Sequence, residues 1–397
     1  MLFHFNQLLS QSINSIECTV IQKLILSLYK VQVDLPNHLL TRSIFNLNPK
    51  KEKEEQNPNE NNESLYNTFT PNTIHLNRFL PIERIISKLP NYYPLFAKTF
   101  QYIFHNKSPL IMIKKVFLGM IAASSLNNKF LFSELEREFI INEGNEEWII
   151  HGLNAVDCKL SKYSRISNIL LNQPWLLKKE DIFEIYNPKD PSSNLSEFIE
   201  SCLIITSFHR LGSIMSAFHL SYKDSKILED EKEFQKFREK NKIFLSKFKS
   251  NYCNVYHDFH NTSYFSEIDY NWEDSGHYFL ENYKKELVKL INDELVYLTN
   301  ENEHNTIEFY IGTILGVTNE SYDYSQINKA KSTNITKKIF LKKIVTDPES
   351  FSLFDLNLLK IKHTDKQIIY LTLLAAIIKQ KIQLTYLSKL IDEIIKE

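Results

Sequence analysis

Val116–Ile141 reads VFLGMIAASSLNNKFLFSELEREFII. From Val116 to Ala123 it is apolar on every side, the pattern of a helix enclosed in the middle of a bundle rather than laid on its surface. Gly119, Ala122 and Ala123 recur at i, i+3 and i+4, so one face is small enough for a neighbouring helix to come close. Beyond Asn127–Asn128 the pattern turns amphipathic. Leu131, Leu135 and Phe139 form one stripe, while Glu134, Glu136, Arg137 and Glu138 fall off it, where solvent is expected. An enclosed helix followed by one that opens to water is a natural place for a buried reactive residue. Yet Asn128–Leu135 holds no cysteine, histidine or tyrosine.

The helical spacing continues in both directions. It predicts helices over Ile82–Leu89, Tyr93–Asn106, Ile111–Asn127, Leu131–Asn142, Cys158–Leu171, Lys179–Tyr186 and Asn194–Phe218. It resumes over Glu273–Thr299, His304–Leu315, Gln326–Ile344 and Ser350–Lys360. The last helix starts from Thr364, an N-cap with Gln367 three residues on. Pro109, Pro174 and Pro188 fall between helices, where a missing N–H costs least. No period-two alternation is sustained. The expected fold is all-α, with helical domains at 76–221 and 269–397 joined by a polar connector at 222–268. Residues 1–75 form an N-terminal extension, within which 47–63 have almost nothing to bury and are expected to be disordered. In the connector, Tyr222–Lys249 has the pattern of a polar helix with a thin stripe of Phe234, Phe237, Phe244 and Phe248.

Composition narrows the function classes. At 397 residues and 43% hydrophobic content, the chain has enough apolar sequence for two ordinary cores. Seven glycines are few for a sheet-rich fold with many tight turns, and neither G-x-G-x-x-G nor G-x-x-x-x-G-K occurs, so phosphate-cradling loops of that kind are excluded. A net charge of −1 gives no field that would draw nucleic acid or an anionic membrane, and neither is an expected partner. Cys18, Cys158, Cys202 and Cys253 lie far apart with no C-x-x-C pair, as free thiols in a reducing compartment do. No Lys or Arg precedes Lys23, so a secretory signal is not expected, and the uncharged run Gln367–Ile378 is too short to span a bilayer. The expected location is the cytoplasm, with the nucleus as a second site.

Several short stretches, taken in order, resemble the sestrin family. In the first half these are the small-residue helix Gly119–Ala123, Trp148, Ser164 and Ile166, then Pro174–Trp175–Leu176 with Lys179–Glu180 and Ile182. In the second half they are Asp269–Tyr270, Trp272–Glu273–Asp274 and Gly276, then Tyr310–Ile311, Gly316, Tyr322–Asp323–Tyr324, Pro348–Glu349, and His363 with Lys366. The resemblance runs from about Leu76 to Ile391, with the connector unmatched, and implies two helical domains of the AhpD type.

It also implies roles. Sestrin N-terminal domains are associated with hydroperoxide reduction by a cysteine, a tyrosine two residues on and a histidine seven on. That chemistry needs a thiolate nucleophile with a base or proton relay close by. Here those positions are Asn128, Phe130 and Leu135, and none of the three is competent. An alternative enzyme would use Cys202 and His209, which repeat the i, i+7 spacing; the ordinary account is a buried thiol and a hydrogen-bonded core histidine. Cys253, His257 and His260 share a helical face but lack a fourth ligand, so no metal and no cofactor are expected.

Sestrin C-terminal domains hold free leucine and bind the GATOR complex upstream of the TOR kinase. The family's acid falls on Asp365, its arginine near His304 and its tryptophan on Leu358, with Thr299 nearest the threonine-rich lid. A histidine holds a carboxylate less firmly than a bidentate arginine, so these departures imply weak leucine affinity. The family's acidic contact surface falls on Glu320, Ser321, Tyr322, Asp323 and Tyr324, where tyrosines beside acid suit a partner contact. The resemblance therefore implies a negative regulator of TOR signalling that responds to amino-acid or stress status through contact with a GATOR-type complex. The remaining alternative is a helical scaffold that has kept the fold and lost both functions.

Overall fold

The computed structural model describes residues 80–105, 108, 110–190, 193–220, 243–249, 265–266, 270–299, 304–318 and 335–396. Among them are thirteen α-helices. The first seven are α1 (Leu80–Ile86), α2 (Tyr93–His105), α3 (Met112–Ser125), α4 (Lys129–Ile141), α5 (Glu146–His151), α6 (Cys158–Asn172) and α7 (Lys179–Phe183). Then come α8 (Leu195–Ala217), α9 (His277–Thr299), α10 (His304–Ile314), α11 (Ile335–Thr346), α12 (Leu353–Lys360) and α13 (Asp365–Lys396). Among the described residues the strand pairing is a two-residue parallel bridge, β1 (Phe265–Ser266) to β2 (Val317–Thr318). The all-α expectation holds, with boundaries displaced by a few residues at most of the ends that are described.

The enclosed stretch is central, as its pattern requires. Every residue from Lys115 to Ser124 in α3 is buried. A Cβ added to Gly119 would lie 2.8 Å from Phe208 Cε2 of α8 and 3.1 Å from Leu135 Cδ1 of α4. The small face thus receives one aromatic ring and one branched side chain. Helix α4 departs from expectation. Glu134, Glu136, Arg137 and Glu138 are buried rather than facing solvent, and Arg137 Nη1 reaches Glu134 Oε1 at 3.8 Å. Burial of the polar face of an amphipathic helix is tolerated where charges pair.

The stretch 243–249 of the connector is anchored on the first half. The pattern predicts helix through Lys249, but Leu245–Phe248 is a single 3₁₀ turn. Phe248 is fully buried, its ring 4.9 Å from that of Phe132 and 5.5 Å from that of Phe117. Ser124 Oγ donates to the Leu245 carbonyl at 2.6 Å, and Lys247 Nζ to the Ile150 carbonyl at 2.6 Å. Gly152 adopts φ 61°, and a Cβ there would lie 2.4 Å from the Lys247 carbonyl oxygen, so glycine is required on both counts.

One local unit occurs twice. Pro174 and Pro348 each open a 3₁₀ turn. The preceding residues match in backbone, Gln173 at φ −145°, ψ 66° and Asp347 at −150°, 72°, as do the following ones, Leu177 at −65°, 130° and Phe351 at −67°, 129°. A capped helix then starts in each copy. The Asp181 carboxylate accepts from the Lys178 N–H at 3.0 Å, and that of Asp355 from the Ser352 N–H at 2.8 Å. Each of these aspartates also takes a cation from the helix before the proline turn, Arg165 at 2.7 Å or Lys343 at 2.8 Å. The long helices α8 and α13 follow, and they pack on each other. Thr206 meets Gln380 and His209 meets Gln383, both pairs 174 residues apart, the same interval that separates Pro174 from Pro348. Contact between equivalent positions is what a local twofold relation produces.

Helix α13 is long and apolar enough to cross a membrane by length and composition, and 89% of its apolar window is buried within the protein. It is a core helix. The capping box at its start is formed, with the Thr364 N–H donating to Gln367 Oε1 at 2.9 Å and the Gln367 N–H to Thr364 Oγ1 at 3.3 Å.

Candidate functional site

Asn128, Phe130 and Leu135, the positions that the resemblance assigns to a relay, lie where α3, α4 and α8 meet, and each has a structural role. Asn127 takes φ 55°, a left-handed conformation that asparagine tolerates, and reverses the chain between α3 and α4. Asn128 then caps α4, its Oδ1 accepting from the Leu131 N–H at 2.8 Å. Its Nδ2 donates to the Gly212 carbonyl and to Ser216 Oγ, both at 3.0 Å, tying α4 to α8. Phe130 and Leu135 are buried in the apolar core. Nothing at the three positions can act as nucleophile or accept a proton.

Cys202 and His209 lie on α8, fully buried. Seven residues of helix span about 10.5 Å, so the two side chains stand two turns apart and cannot share a hydrogen bond. Burial pushes the Cys202 thiol far above its ordinary range, which keeps it protonated. Gln383 Nε2 lies 3.4 Å from His209 Nδ1, and His209 Nε2 lies 3.0 Å from Ser167 Oγ. The amide can only donate, so Nδ1 accepts and Nε2 carries the proton toward Ser167. Burial and the nearby Lys379 hold the imidazole well below its usual range, hence neutral. A protonated thiol two turns from a committed histidine offers no path to a thiolate.

The ligand candidates fall at one end of the α9–α13 pair. The Tyr370 hydroxyl donates to the Leu298 carbonyl at 2.5 Å, joining the start of α13 to the end of α9. Asp365 opens α13, and its carboxylate lies 3.0 Å from Lys360 Nζ and 4.0 Å from Lys88 Nζ. An acid that receives a ligand ammonium needs that valence open; here two lysines face it. Thr299 Oγ1 donates to its own helix at Leu295 O, 3.0 Å away. Leu358 is half-buried on α12. His304 begins α10, but its side chain lies outside the described residues, as do Glu320, Ser321, Tyr322, Asp323 and Tyr324 of the partner loop and the cluster Cys253, His257 and His260.

The motifs that carry the resemblance build the interior. Trp148 packs between Phe117 and Phe139, with ring centres 5.4 and 6.0 Å away. Trp175 lies over Gly316, where a Cβ would approach its ring to 3.1 Å, and the Tyr386 hydroxyl donates to the Gly316 carbonyl at 2.9 Å. Trp272 Nε1 donates to Asn292 Oδ1 at 3.1 Å, and Glu273 shares Lys381 with Glu308. Gly276 makes room for Ser388, whose Oγ would lie 3.2 Å from an added Cβ.

Two buried ionic clusters have no counterpart in the sequence reading. Glu294 of α9 accepts from Arg210 Nη2 of α8 at 3.0 Å, and from the Tyr92 and Thr99 hydroxyls, each at 2.5 Å. The Arg210 guanidinium also lies 5.5 Å from the Phe100 ring centre. Glu200 of α8 meets Lys115 at 3.3 Å and Lys284 at 2.5 Å. A separate cleft of about 400 Å³ lies at the starts of α6 and α8, and it holds the exposed thiol of Cys158 together with Lys159, Tyr163 and the Lys114–Glu197 pair.

The architecture and this site define an all-α chain whose α3–α4–α8 junction is held by an N-cap and apolar packing. The family model described as "PA26 p53-induced protein (sestrin)" matches residues 46–250, just over half of the chain. The chain belongs to the sestrin family. It is 30% identical over 142 residues to a Sestrin homolog of Drosophila melanogaster, an alignment covering 36% of this chain and 28% of that protein. It is 28% identical over 126 residues to Sestrin-2 of Homo sapiens, covering 32% of this chain and 26% of the relative. A Sestrin homolog of Dictyostelium discoideum is 26% identical over 134 residues, covering 34% and 22%. The chain thus aligns with less than a third of the length of each of these relatives.

Proposed function

We propose that this chain is a stress- and nutrient-responsive negative regulator of TOR signalling that works by contact with a GATOR-type complex and not by peroxidase chemistry. Its halves correspond to the two AhpD-type domains of sestrins, and it works in the cytoplasm and nucleus. The observation that supports this most is the occupancy of the relay positions: an N-cap at Asn128 and core residues at Phe130 and Leu135, inside a chain of the sestrin family. A junction that has lost its chemistry and kept its packing leaves the surface as the working part. The test is made in cells lacking the chain and in cells with it restored. On amino-acid withdrawal, phosphorylation of TOR substrates should fall further where the chain is present. An equal fall in both lines overturns the proposal.

A further inference from the structure

Lys379 occupies the face of α13 that meets α8. It is 1% exposed, and its Nζ has no hydrogen-bond partner among the described residues. Its neighbours along the helix are the residues that join α13 to α8. Gln380 Nε2 donates to Ser207 Oγ at 3.0 Å, and Gln383 Nε2 donates to the Leu170 carbonyl of α6 at 2.9 Å and faces His209. The amine therefore sits inside the seam between the two copies of the repeated unit.

We propose that Lys379 makes the α8–α13 seam a pH-sensitive latch, closed when the amine is uncharged and loosened when acidification charges it. The groups around it explain why. From α8 the facing titratable group is His209, itself neutral and disfavoured as a cation by Lys379. From α6, Ser167 and the Leu170 carbonyl, both uncharged, bond to His209 and Gln383 of the same seam. From the turn after α11 comes Asp347, the opposite charge among the described residues that raises the proton affinity of the amine. On α13 itself the next cation, Lys381, is held by Glu273 and Glu308 and is kept protonated. Burial outweighs Asp347 and pulls the Lys379 amine from 10.5 down to about 7.

The sign follows from proton linkage. Between about 7 and 10.5 an opened seam binds a proton that the closed seam does not, so closure strengthens as pH rises through that window and weakens as pH falls. Below about 7 the amine is charged in both states and the full penalty stands. His209, depressed below 6.5, adds a cost of the same sign at lower pH.

The test uses the full chain with ¹³Cε-labelled lysine, followed by NMR from pH 5.5 to 10, and hydrogen exchange of α13 at pH 6 and 8.5. One lysine should titrate near neutrality, and its signal should vanish in Lys379→Met, or in Lys379→Gln should the methionine variant fail to fold. After correction for intrinsic rates, opening of 375–385 should be at least about tenfold more frequent at pH 6 than at pH 8.5, and this ratio should collapse toward one in the variant. If every lysine titrates above about pH 9.5, or if the variant keeps the pH dependence, the proposal is overturned.

Discussion

The Asn128 side chain donates to the Gly212 carbonyl at 3.0 Å, so the residue that the resemblance assigns to the start of a relay is a strut between α4 and α8. Its other nitrogen-borne proton goes to Ser216, and its oxygen caps α4. Asn128→Ala removes the cap and both side-chain ties to α8. Loss of the cap alone costs about 1 kcal/mol and the two lost hydrogen bonds about 1–3 more. Urea denaturation should show a loss of about 2–4 kcal/mol; a variant within 0.5 kcal/mol of the parent contradicts the strut.

The Arg210–Glu294 pair, both residues fully buried, is the second test. Breaking one side of such a pair costs about 3–5 kcal/mol, because the survivor is left charged and unpaired. Arg210→Met should show this in denaturant unfolding. Adding Glu294→Leu should recover part of the loss and not all, since Tyr92 and Thr99 would lose their acceptor. Strictly additive losses would show that the two residues are not coupled.

How far could these features be read from the chain alone? The small face at Gly119 was legible because a helical period shows which residues share a side, and Phe208 and Leu135 fill that face. The caps at Thr364 and the helix-terminating prolines were legible because they act within four residues. The acidic side of α4 was not. Periodicity separates polar from apolar faces but cannot tell whether a polar face is covered, and Glu134 and Glu136 are. The Glu294 cluster joins residues 84 to 202 positions apart, beyond the reach of any local pattern. At the relay, the departures at Asn128, Phe130 and Leu135 were visible in the residue types, whereas the tie from Asn128 to Gly212 required the fold.

Leucine affinity is expected to be weak. Losing a bidentate charge-assisted contact costs about 1.5–3 kcal/mol, roughly ten- to a hundredfold in affinity. Asp365 is also faced by Lys360 and Lys88. Calorimetry with the purified chain should find no tight site. Tight binding that disappears in Asp365→Ala would show that the lysines yield to the ligand.

The loop at Glu320–Tyr324 is expected to carry the partner contact. Tyrosine offers a large amphipathic surface at low entropy cost, and interface hot spots favour it. Changing Tyr322 and Asp323 to alanine should leave the melting curve nearly unchanged, within about 0.5 kcal/mol. Co-purification of GATOR-type subunits should fall. An unfolded variant would make Tyr322 a core anchor, and a folded variant that still binds would place the contact elsewhere.

The central claim is that the relay junction is structure and the protein acts without turnover. The direct measurement is reduction of an alkyl hydroperoxide by the purified full chain, supplied with a thiol reductant and followed by loss of peroxide. The account predicts a rate equal to that of the reductant alone, and an unchanged rate in Cys202→Ala, because the Cys202 thiol is buried and protonated two turns from a neutral, hydrogen-bonded His209. Turnover above that background that is lost in Cys202→Ala would contradict it.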